Sequence, residues 1–248
     1  MTSIIMSGIN GRMGKAIEEL CLHDDSVEIV AGIDINLGVP HKFPTVSSPD
    51  QLDTKADVII DFSHHSCAEM LCKYAVETQT PIVFATTGYT DEELAMIDNA
   101  SKKVAVFTSA NMSLGVNLII SLAKQASKIL KGFDIEIIEK HHNQKLDAPS
   151  GTALMIANGI KEVREDSEYI YDRSQIRKKR EANEIGIHAI RGGTIVGEHD
   201  VIFAGHNEVV TIGHTAQSRE VFASGAVSAA KFIAGKSAGM YHMDDMIG

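Results

Sequence analysis

The chain has 248 residues, of which 44% are hydrophobic, so it can form one large domain or two modest ones with a sizeable core. Its formal net charge of -10 argues against nucleic acid or an anionic membrane surface as the main partner, because both select for a basic face. Neither a signal-peptide pattern nor an apolar run of about 20 residues is found, and we expect a cytoplasmic protein.

The first elements predicted are a short apolar strand, a glycine turn and a helix. Gly8, Gly11 and Gly14 are spaced G-x-x-G-x-x-G, which allows a tight turn, close approach of a pyrophosphate and close helix packing. The next strand ends at Asp34, 20 residues after the last glycine, where dinucleotide-binding folds place a ribose-binding acid. A structural glycine turn in another α/β protein is the competing interpretation.

Strands and helices then alternate, which predicts βαβ units and a parallel sheet. The predicted strands lie at 57–62, 81–86 and 103–109, and the helices lie near 66–77 and 91–101. Small and polar residues follow each strand, at the sheet edge where cofactors bind in such folds. Thr87, Gly88 and Asn111 are therefore candidate cofactor contacts, with an ordinary turn role as the alternative.

The rhythm changes after a helix predicted at 114–130. A strand, a helix, a charged stretch and three closely spaced strand-like runs follow, and the close spacing suggests antiparallel pairing. We predict an α+β substrate domain at 113–216 with a mixed, largely antiparallel open sheet. Residues 1–112 and 217–248 are predicted to form an α/β, Rossmann-like dinucleotide-binding domain.

Reactive side chains are densest in the run EKHHNQKLDAPSGT at residues 139–152, between an alternating strand and a helix start. The backbone N–H groups of Ser150, Gly151 and Thr152 suit a carboxylate or phosphate, because they begin a helix. The run thus predicts an anion site.

The same run also carries proton donors and a cation. His141 and His142 can donate protons near neutral pH, and Lys145 adds positive charge. This combination suits an anionic substrate that needs a proton. Histidines that merely cap a strand end, beside a solvated lysine, are the alternative.

Two further groups are given no chemistry. His64, His65 and His199 lack the spacing of a ligand set, so ordinary turn contacts and no metal are predicted. The basic segment 173–180 is interpreted as a solvated loop rather than a lid.

The chain resembles the 4-hydroxy-tetrahydrodipicolinate reductase family, long called dihydrodipicolinate reductase, which acts in lysine and diaminopimelate biosynthesis. The resemblance spans nearly the whole chain. Six runs carry it: GINGRMG at 8–14, ATTG at 85–88, ANMS at 110–113, HHNQKLDAPSGTA at 141–153, RGGTIVGEH at 191–199 and GHTAQSR at 213–219.

The resemblance implies that NAD(P)H delivers hydride to C4 of the substrate ring, that a proton reaches the adjacent carbon, and that water is lost. His141 is implied to be the proton donor, with Lys145 as its catalytic partner. The substrate-binding set, which includes the helix-start residues, is His142, Lys145, Ser150, Gly151 and Thr152. The cofactor-binding set is Gly8, Ile9, Asn10, Gly11, Arg12, Met13, Asp34, Ala85, Thr86, Thr87, Ala110, Asn111, Met112 and Ser113. A homotetramer formed through the sheet of the second domain is also implied.

Departures from the family pattern concern the cofactor. Ile35 and Asn36 follow Asp34, where some members of the family place a basic residue that meets the 2′-phosphate of NADP. An acid alone prefers the free 2′-hydroxyl of NAD, which predicts a preference for NADH. Arg12 and Lys15 lie close enough in sequence to support NADPH binding as well.

Two other functions remain compatible with parts of the sequence. One is another two-domain NAD(P)-dependent dehydrogenase that uses Lys145 or His141 on a hydroxyl substrate. The dicarboxylate site predicted at the helix start argues against this alternative. The other is a non-enzymatic NADH-sensing protein, which has no need of the HHNQK cluster.

Overall fold

The computed structural model describes residues 1–248 and divides into two compact units, each with its own sheet. Unit 1 comprises residues 1–114 and 220–248, and unit 2 comprises residues 115–219. The predicted domain boundaries, after residues 112 and 216, lie close to these limits. No helix combines the length and apolar character that a membrane crossing requires.

The elements are labelled in chain order. The strands are β1 (Thr2–Ser7), β2 (Val27–Ile33), β3 (Thr45–Val46), β4 (Val58–Asp61), β5 (Ile82–Phe84), β6 (Ala105–Thr108), β7 (Asp134–His141), β8 (Glu168–Ile170), β9 (Glu184–Arg191), β10 (Gly197–Ala204), β11 (Val209–Ala216) and β12 (Gly239–Tyr241). The helices are α1 (Arg12–Cys21), α2 (Ala68–Thr78), α3 (Asp91–Ser101), α4 (Leu114–Ile129), α5 (Gly151–Lys161), α6 (Glu220–Ile233) and α7 (Met243–Ile247).

Unit 1 contains a parallel sheet in the order β12-β6-β5-β4-β1-β2-β3. Its central strands are mostly apolar and buried because helices cover both faces. Ile4 and Met6 of β1 join one core with α1 and α6, whereas Ile5 joins a second core with α2 and α3. This sheet confirms the predicted Rossmann-like fold, and its order reverses beside β1, where such folds bind their ligands.

Helix α6 returns the chain to unit 1 and is rich in small residues on its buried face. A side chain at Gly225 would overlap the backbone carbonyl of Met112. The small residues therefore let α6 lie close to the backbone that follows β6, which holds that backbone in place.

Unit 2 contains a mixed sheet in the order β11-β10-β7-β9-β8. Strand β10 pairs antiparallel with both β7 and β11, whereas β9 pairs in parallel with β7 and β8. The mixed sheet was predicted, but the pairing of β9 with β10 is wrong because β7 lies between them. Ile135 and Ile137 of β7 share one buried core with α4 and α5, and apolar residues of β9 and β10 extend that core on either side of β7.

The basic segment 173–180 is not a solvated loop at its two ends, so that prediction is wrong there. Nε of Arg180 lies 3.0 Å from Oε1 of Glu136, and its Nη1 lies 2.9 Å from Oδ1 of Asp134. Arg173 forms an ion pair with Glu184. These arginines anchor the segment to β7 and β9, whose acidic side chains need cationic partners.

Candidate active site

The buried face of β7 changes from apolar to titratable along its length. Ile135 and Ile137 alternate into the core, and the same two-residue period carries Glu139 and His141 to that face. Glu139 is fully buried and His141 is 9% exposed. A carboxylate at such a position requires partners for its charge.

Four donors surround Glu139. Nη1 and Nη2 of Arg191 each lie 2.7 Å from one of its oxygens, the backbone N of Ser150 lies 2.9 Å away, and Nδ1 of His141 lies 2.6 Å away. Arg191 reaches it because β7 and β9 align His141 with Arg191. Burial raises the pKa of Glu139, but the hydrogen bonds from Arg191, His141 and Ser150 lower it by more than burial raises it. The pKa of Glu139 is therefore below its usual value. Glu139 is therefore a carboxylate at neutral pH.

Ser150 links the start of α5 to a second buried histidine. Its hydroxyl accepts the backbone N–H of Ala153 at 3.1 Å, as an N-cap does, and lies 2.9 Å from Nε2 of His199. The His199 ring packs edge-on to His141 with 5.2 Å between ring centroids. The prediction of a turn contact for His199 is wrong, because β10 carries it to the buried face of the sheet.

The two buried histidines differ in their charged neighbours. Burial lowers the pKa of His199 to about 4, and its imidazole is neutral at neutral pH. Burial also lowers the pKa of His141, although hydrogen bonding to Glu139 raises it, and the positive charges of Lys145 and Arg191 lower it again. His141 thus has a carboxylate partner that His199 lacks.

The loop after β7 supplies the remaining charge. Nζ of Lys145 lies 2.9 Å from Oδ1 of Asp147, and the Lys145 side chain is 20% exposed. His142 is half-buried at the strand end. A side chain at Gly151 would meet no atom within 4 Å, which leaves open space at the first turn of α5. A carboxylate fits there, because the first N–H groups of a helix have no partner inside it.

The glycine turn of unit 1 has the geometry that its spacing predicts. Gly8 has φ of 80°, and a Cβ there would lie 2.7 Å from the carbonyl oxygen of Phe62. Gly11 is the N-cap of α1, and a side chain at Gly14 would overlap the carbonyl groups of Gly8 and Ile9. Backbone N–H groups at a helix start reached by such a turn fit a pyrophosphate.

Asp34 is tied to that turn from the end of β2. Its Oδ2 accepts the backbone N–H of Asn10 at 2.9 Å, and its Oδ1 accepts that of Asn36, also at 2.9 Å. The Asn10 side chain in turn contacts Nε2 of His41 at 3.0 Å, and Nδ1 of His41 lies 3.0 Å from Glu18. A carboxylate oxygen can accept more than one hydrogen bond, so Asp34 can also receive a ribose hydroxyl.

Two cavities in unit 1 open at the carboxyl ends of its strands. One of about 270 Å³ is lined by residues that include Gly8, Gly11, Asp34, Ser63, His64 and Met70. The other, of about 530 Å³, is lined by residues that include Thr86, Thr87, Gly88, Tyr89, Ala110 and His242. Their size and position fit a nicotinamide dinucleotide at the edge where the fold binds cofactors.

Asp61 joins the loops that line these two cavities. Its Oδ1 accepts the N–H of Ser63 at 3.1 Å and the hydroxyl of Ser63 at 2.5 Å, and its Oδ2 accepts the hydroxyl of Thr86 at 2.8 Å. Burial raises the pKa of Asp61 above its usual value, although these hydrogen bonds lower it.

Comparison with known sequences identifies the family. A sequence model described as the N-terminus of dihydrodipicolinate reductase matches residues 2–112, and one described as its C-terminus matches residues 115–247. The chain belongs to the dihydrodipicolinate reductase family.

Curated relatives in the dihydrodipicolinate reductase family match over the full length. A 4-hydroxy-tetrahydrodipicolinate reductase from Caldanaerobacter subterraneus subsp. tengcongensis is 54% identical, covering 100% of this chain and 98% of its own. One from Clostridium novyi is 51% identical with the same coverage.

Two solved structures resemble this chain in fold. A dipicolinate-bound dihydrodipicolinate reductase from Paenisporosarcina sp. TG-14 has a TM-score of 0.84 at 25% identity, covering 98% of this chain and 97% of its own. A myo-inositol dehydrogenase from Corynebacterium glutamicum has a TM-score of 0.58 at 15% identity, covering 96% of this chain and 90% of its own, and shares the fold alone.

Several of the cofactor-binding residues implied by the family resemblance do not line a cavity with their side chains. Ile9 and Met112 are buried in the core, Met13 packs against it, and Arg12 is exposed. Ala85 is also buried in that core, and the Asn111 side chain accepts the N–H of Ser113 at 2.9 Å.

Sequence reasoning missed Glu139, Arg191 and His199 as members of the site. Glu139 had a signal, because the two-residue period that buries Ile137 also buries Glu139. Arg191 and His199 begin and end the run RGGTIVGEH at 191–199, which carries part of the family resemblance, but nothing in that run indicates that they lie beside Glu139 and His141. Nothing in the structure arranges three or more His, Cys, Asp or Glu side chains to hold a metal ion.

Proposed function

We propose that this chain reduces 4-hydroxy-tetrahydrodipicolinate with NAD(P)H, the activity for which its curated relatives are named. The observation that carries the proposal is the arrangement in unit 2. A buried His141, held by a carboxylate, lies within electrostatic reach of Lys145 and beside the capped start of α5. This arrangement combines a proton donor with groups that bind an anion.

His141 is the proton donor in this proposal, and Lys145 is its catalytic partner at the substrate. The ammonium of Lys145 exchanges its contact with Asp147 for a substrate carboxylate. His142 and the first backbone N–H groups of α5, at Gly151 and Thr152, hold the dicarboxylate, while Ser150 keeps that turn in place through its own cap. The dicarboxylate is thereby oriented before the proton moves.

The cofactor loops of unit 1 hold the dinucleotide, and NAD(P)H when bound supplies the hydride. The glycine turn accepts the pyrophosphate, Asp34 accepts a ribose hydroxyl, and residues 85–88 and 110–113 line the nicotinamide end. We propose a preference for NADH, because the Asp34 carboxylate accepts hydrogen bonds from a 2′-hydroxyl and repels a 2′-phosphate.

We also propose a homotetramer that forms through the sheet of unit 2. Strand β11 is an edge strand, and its Val209 and Val210 are 63% and 38% exposed. An exposed apolar edge of this kind is normally covered in a stable protein. Light scattering coupled to size-exclusion chromatography measures the stoichiometry, and a monomer would contradict this part of the proposal.

The activity test supplies 4-hydroxy-tetrahydrodipicolinate, made in situ from aspartate semialdehyde and pyruvate by the preceding synthase, and follows NADH oxidation. Turnover that depends on both precursors is expected. NADH binding without turnover would favour a sensing protein, and turnover only with hydroxyl substrates and NAD would favour another dehydrogenase. Either result rejects the proposed reductase.

A further inference from the structure

We propose that Glu139 is a positioning residue that keeps the hydrogen of neutral His141 on Nδ1, so that Nε2 is the nitrogen that takes up and delivers the proton. The inference rests on the proposed role of His141 as donor. It adds the nitrogen that acts and the residue that selects it.

The contacts of Nδ1 allow only one position for the hydrogen of the neutral His141 ring. Nδ1 lies 2.6 Å from Oε2 of Glu139. Arg191 and the backbone N–H of Ser150 also donate to this carboxylate, so it is ionised and has no hydrogen to give. Because an ionised carboxylate only accepts, Nδ1 of His141 carries the hydrogen in both the neutral and the charged ring.

Glu139 cannot turn away from His141 without losing its other partners. Each oxygen is held by one guanidinium nitrogen of Arg191, and Oε1 also accepts from Ser150. A bidentate pair of this kind adds orientation as well as energy. Arg191 on β9 and Ser150 at the start of α5 therefore fix the plane of the carboxylate. That plane in turn fixes the direction of the hydrogen bond from Nδ1.

The other nitrogen of the ring has space beside it. A Cβ at Gly197, the first residue of β10, would lie 3.2 Å from Nε2 of His141. The absence of a side chain at this position leaves Nε2 uncovered on that side. A hydrogen on Nε2 exists only when the ring is charged, which makes it the hydrogen that can be delivered.

The charges that face His141 explain why the carboxylate matters for protonation. Glu139 on β7 is the negative group, Arg191 on β9 and Lys145 in the following loop are positive, and His199 on β10 is a neutral ring. With a neutral residue at position 139, only positive groups remain close to the ring. The charged form of His141 then becomes less favourable. As the pH is raised, activity should therefore begin to fall at a lower pH in such a variant than in the wild type.

The chain contains a matched control on the same strand. Glu136 also contacts an arginine and a histidine, with 3.0 Å to Nε of Arg180 and 2.7 Å to Nε2 of His188. It points to the opposite face of β7 from Glu139, because side chains alternate along a strand. Glu136→Gln therefore removes an equivalent ion pair without touching His141.

The test uses the full-length enzyme with ¹⁵N-labelled histidine, and His141→Gln assigns the His141 signals. We expect NMR to show the neutral ring of the wild type with hydrogen on Nδ1. Glu139→Gln should lose that preference and shift the fall in kcat to lower pH. It should also reduce kcat by about 10- to 100-fold, the size of the loss when a carboxylate that orients a metal-bound histidine is replaced. The KM for NADH should not change, and Glu136→Gln should alter none of these quantities.

Three results would overturn the inference: hydrogen on Nε2 of neutral His141 in the wild type, an unchanged pH profile in Glu139→Gln, or an equal shift in Glu136→Gln. The wild-type spectrum decides the nitrogen even where Glu139→Gln does not fold. An enzyme that shows the Nδ1 form but no turnover of 4-hydroxy-tetrahydrodipicolinate would reject the proposed function while leaving the tautomer assignment in place.

Discussion

Lys145 and Asp147 form an ion pair within the loop after β7, with 2.9 Å between Nζ and Oδ1. An arriving substrate carboxylate must compete with Asp147 for this ammonium. Lys145→Ala should raise KM for the substrate and lower kcat, by about 10-fold or more in kcat/KM, since a hydrogen bond to a charged group contributes about 1.5–3 kcal/mol. Steady-state kinetics measure both constants.

Asp147→Asn is the companion variant for this experiment. It removes the competing carboxylate, so KM for the substrate should stay the same or decrease. An unchanged KM in Lys145→Ala would instead support a solvated lysine without a role in binding.

His141→Gln should lower kcat by about 10²- to 10⁴-fold, the usual contribution of a general acid. NADH affinity, measured by fluorescence titration, should be retained because the residue acts on the substrate. His188→Gln on β9 is the matched control, since His188 also pairs with a glutamate and its side chain is 40% exposed. A loss of less than about threefold in His141→Gln would contradict the role of proton donor.

Wild-type kcat/KM should be higher with NADH than with NADPH, because Asp34 is held at the end of β2 by two backbone N–H groups. Asp34→Ser should reduce this preference by about 10-fold, which corresponds to about 1.4 kcal/mol. Equal or higher kcat/KM with NADPH in the wild type would reject the preference.

Asp61→Asn should raise KM for NADH more than KM for the substrate. An amide nitrogen cannot accept a hydrogen bond, so either the Ser63 contacts or the Thr86 contact of the carboxylate is lost and one cofactor loop loosens. The chain should still fold, because burial already disfavours the charged carboxylate and raises its pKa.

Asp57→Asn is a chemically matched control for Asp61→Asn. Asp57 accepts the N–H and the hydroxyl of Ser3 at 2.8 and 2.7 Å, but it precedes β4 rather than following it. It therefore lies away from the cofactor edge. If both variants raised KM for NADH equally, Asp61 would have no specific role in the cofactor loops.

The free energy of unfolding should rise with pH between about 4 and 6.5, partly because of His199. Burial lowers the pKa of folded His199 to about 4, from its usual value of 6.5, so the unfolded chain binds the proton more strongly within this window. The effect is on the order of 3 kcal/mol. Urea unfolding of His199→Gln should show a weaker dependence on pH, whereas His23→Gln, at a side chain 75% exposed, should retain it.

Local rules were sufficient for the cofactor half of the molecule. The tight packing at Gly14 follows from local spacing, since the close atoms there are the carbonyl groups of Gly8 and Ile9. The positive φ of Gly8 follows from the glycine turn itself, although the atoms closest to it belong to the distant Phe62 and Ser63. The helix start at Ser150 could likewise be predicted from the sequence, because an N-cap hydroxyl accepts a hydrogen bond from a backbone N–H only three residues later.

Only the tertiary structure decided the surroundings of His141. Arg191 and His199 reach it because β9 and β10 flank β7, an order that the spacing of strands along the chain does not determine. Adjacent strands in sequence predicted β9 beside β10, but β7 pairs with both of them and lies between them. The sequence by itself determined the glycine turn, the helix start and the presence of His141 and Lys145. The fold decided which distant charges face His141, because strand order depends on how the whole chain buries its apolar surface.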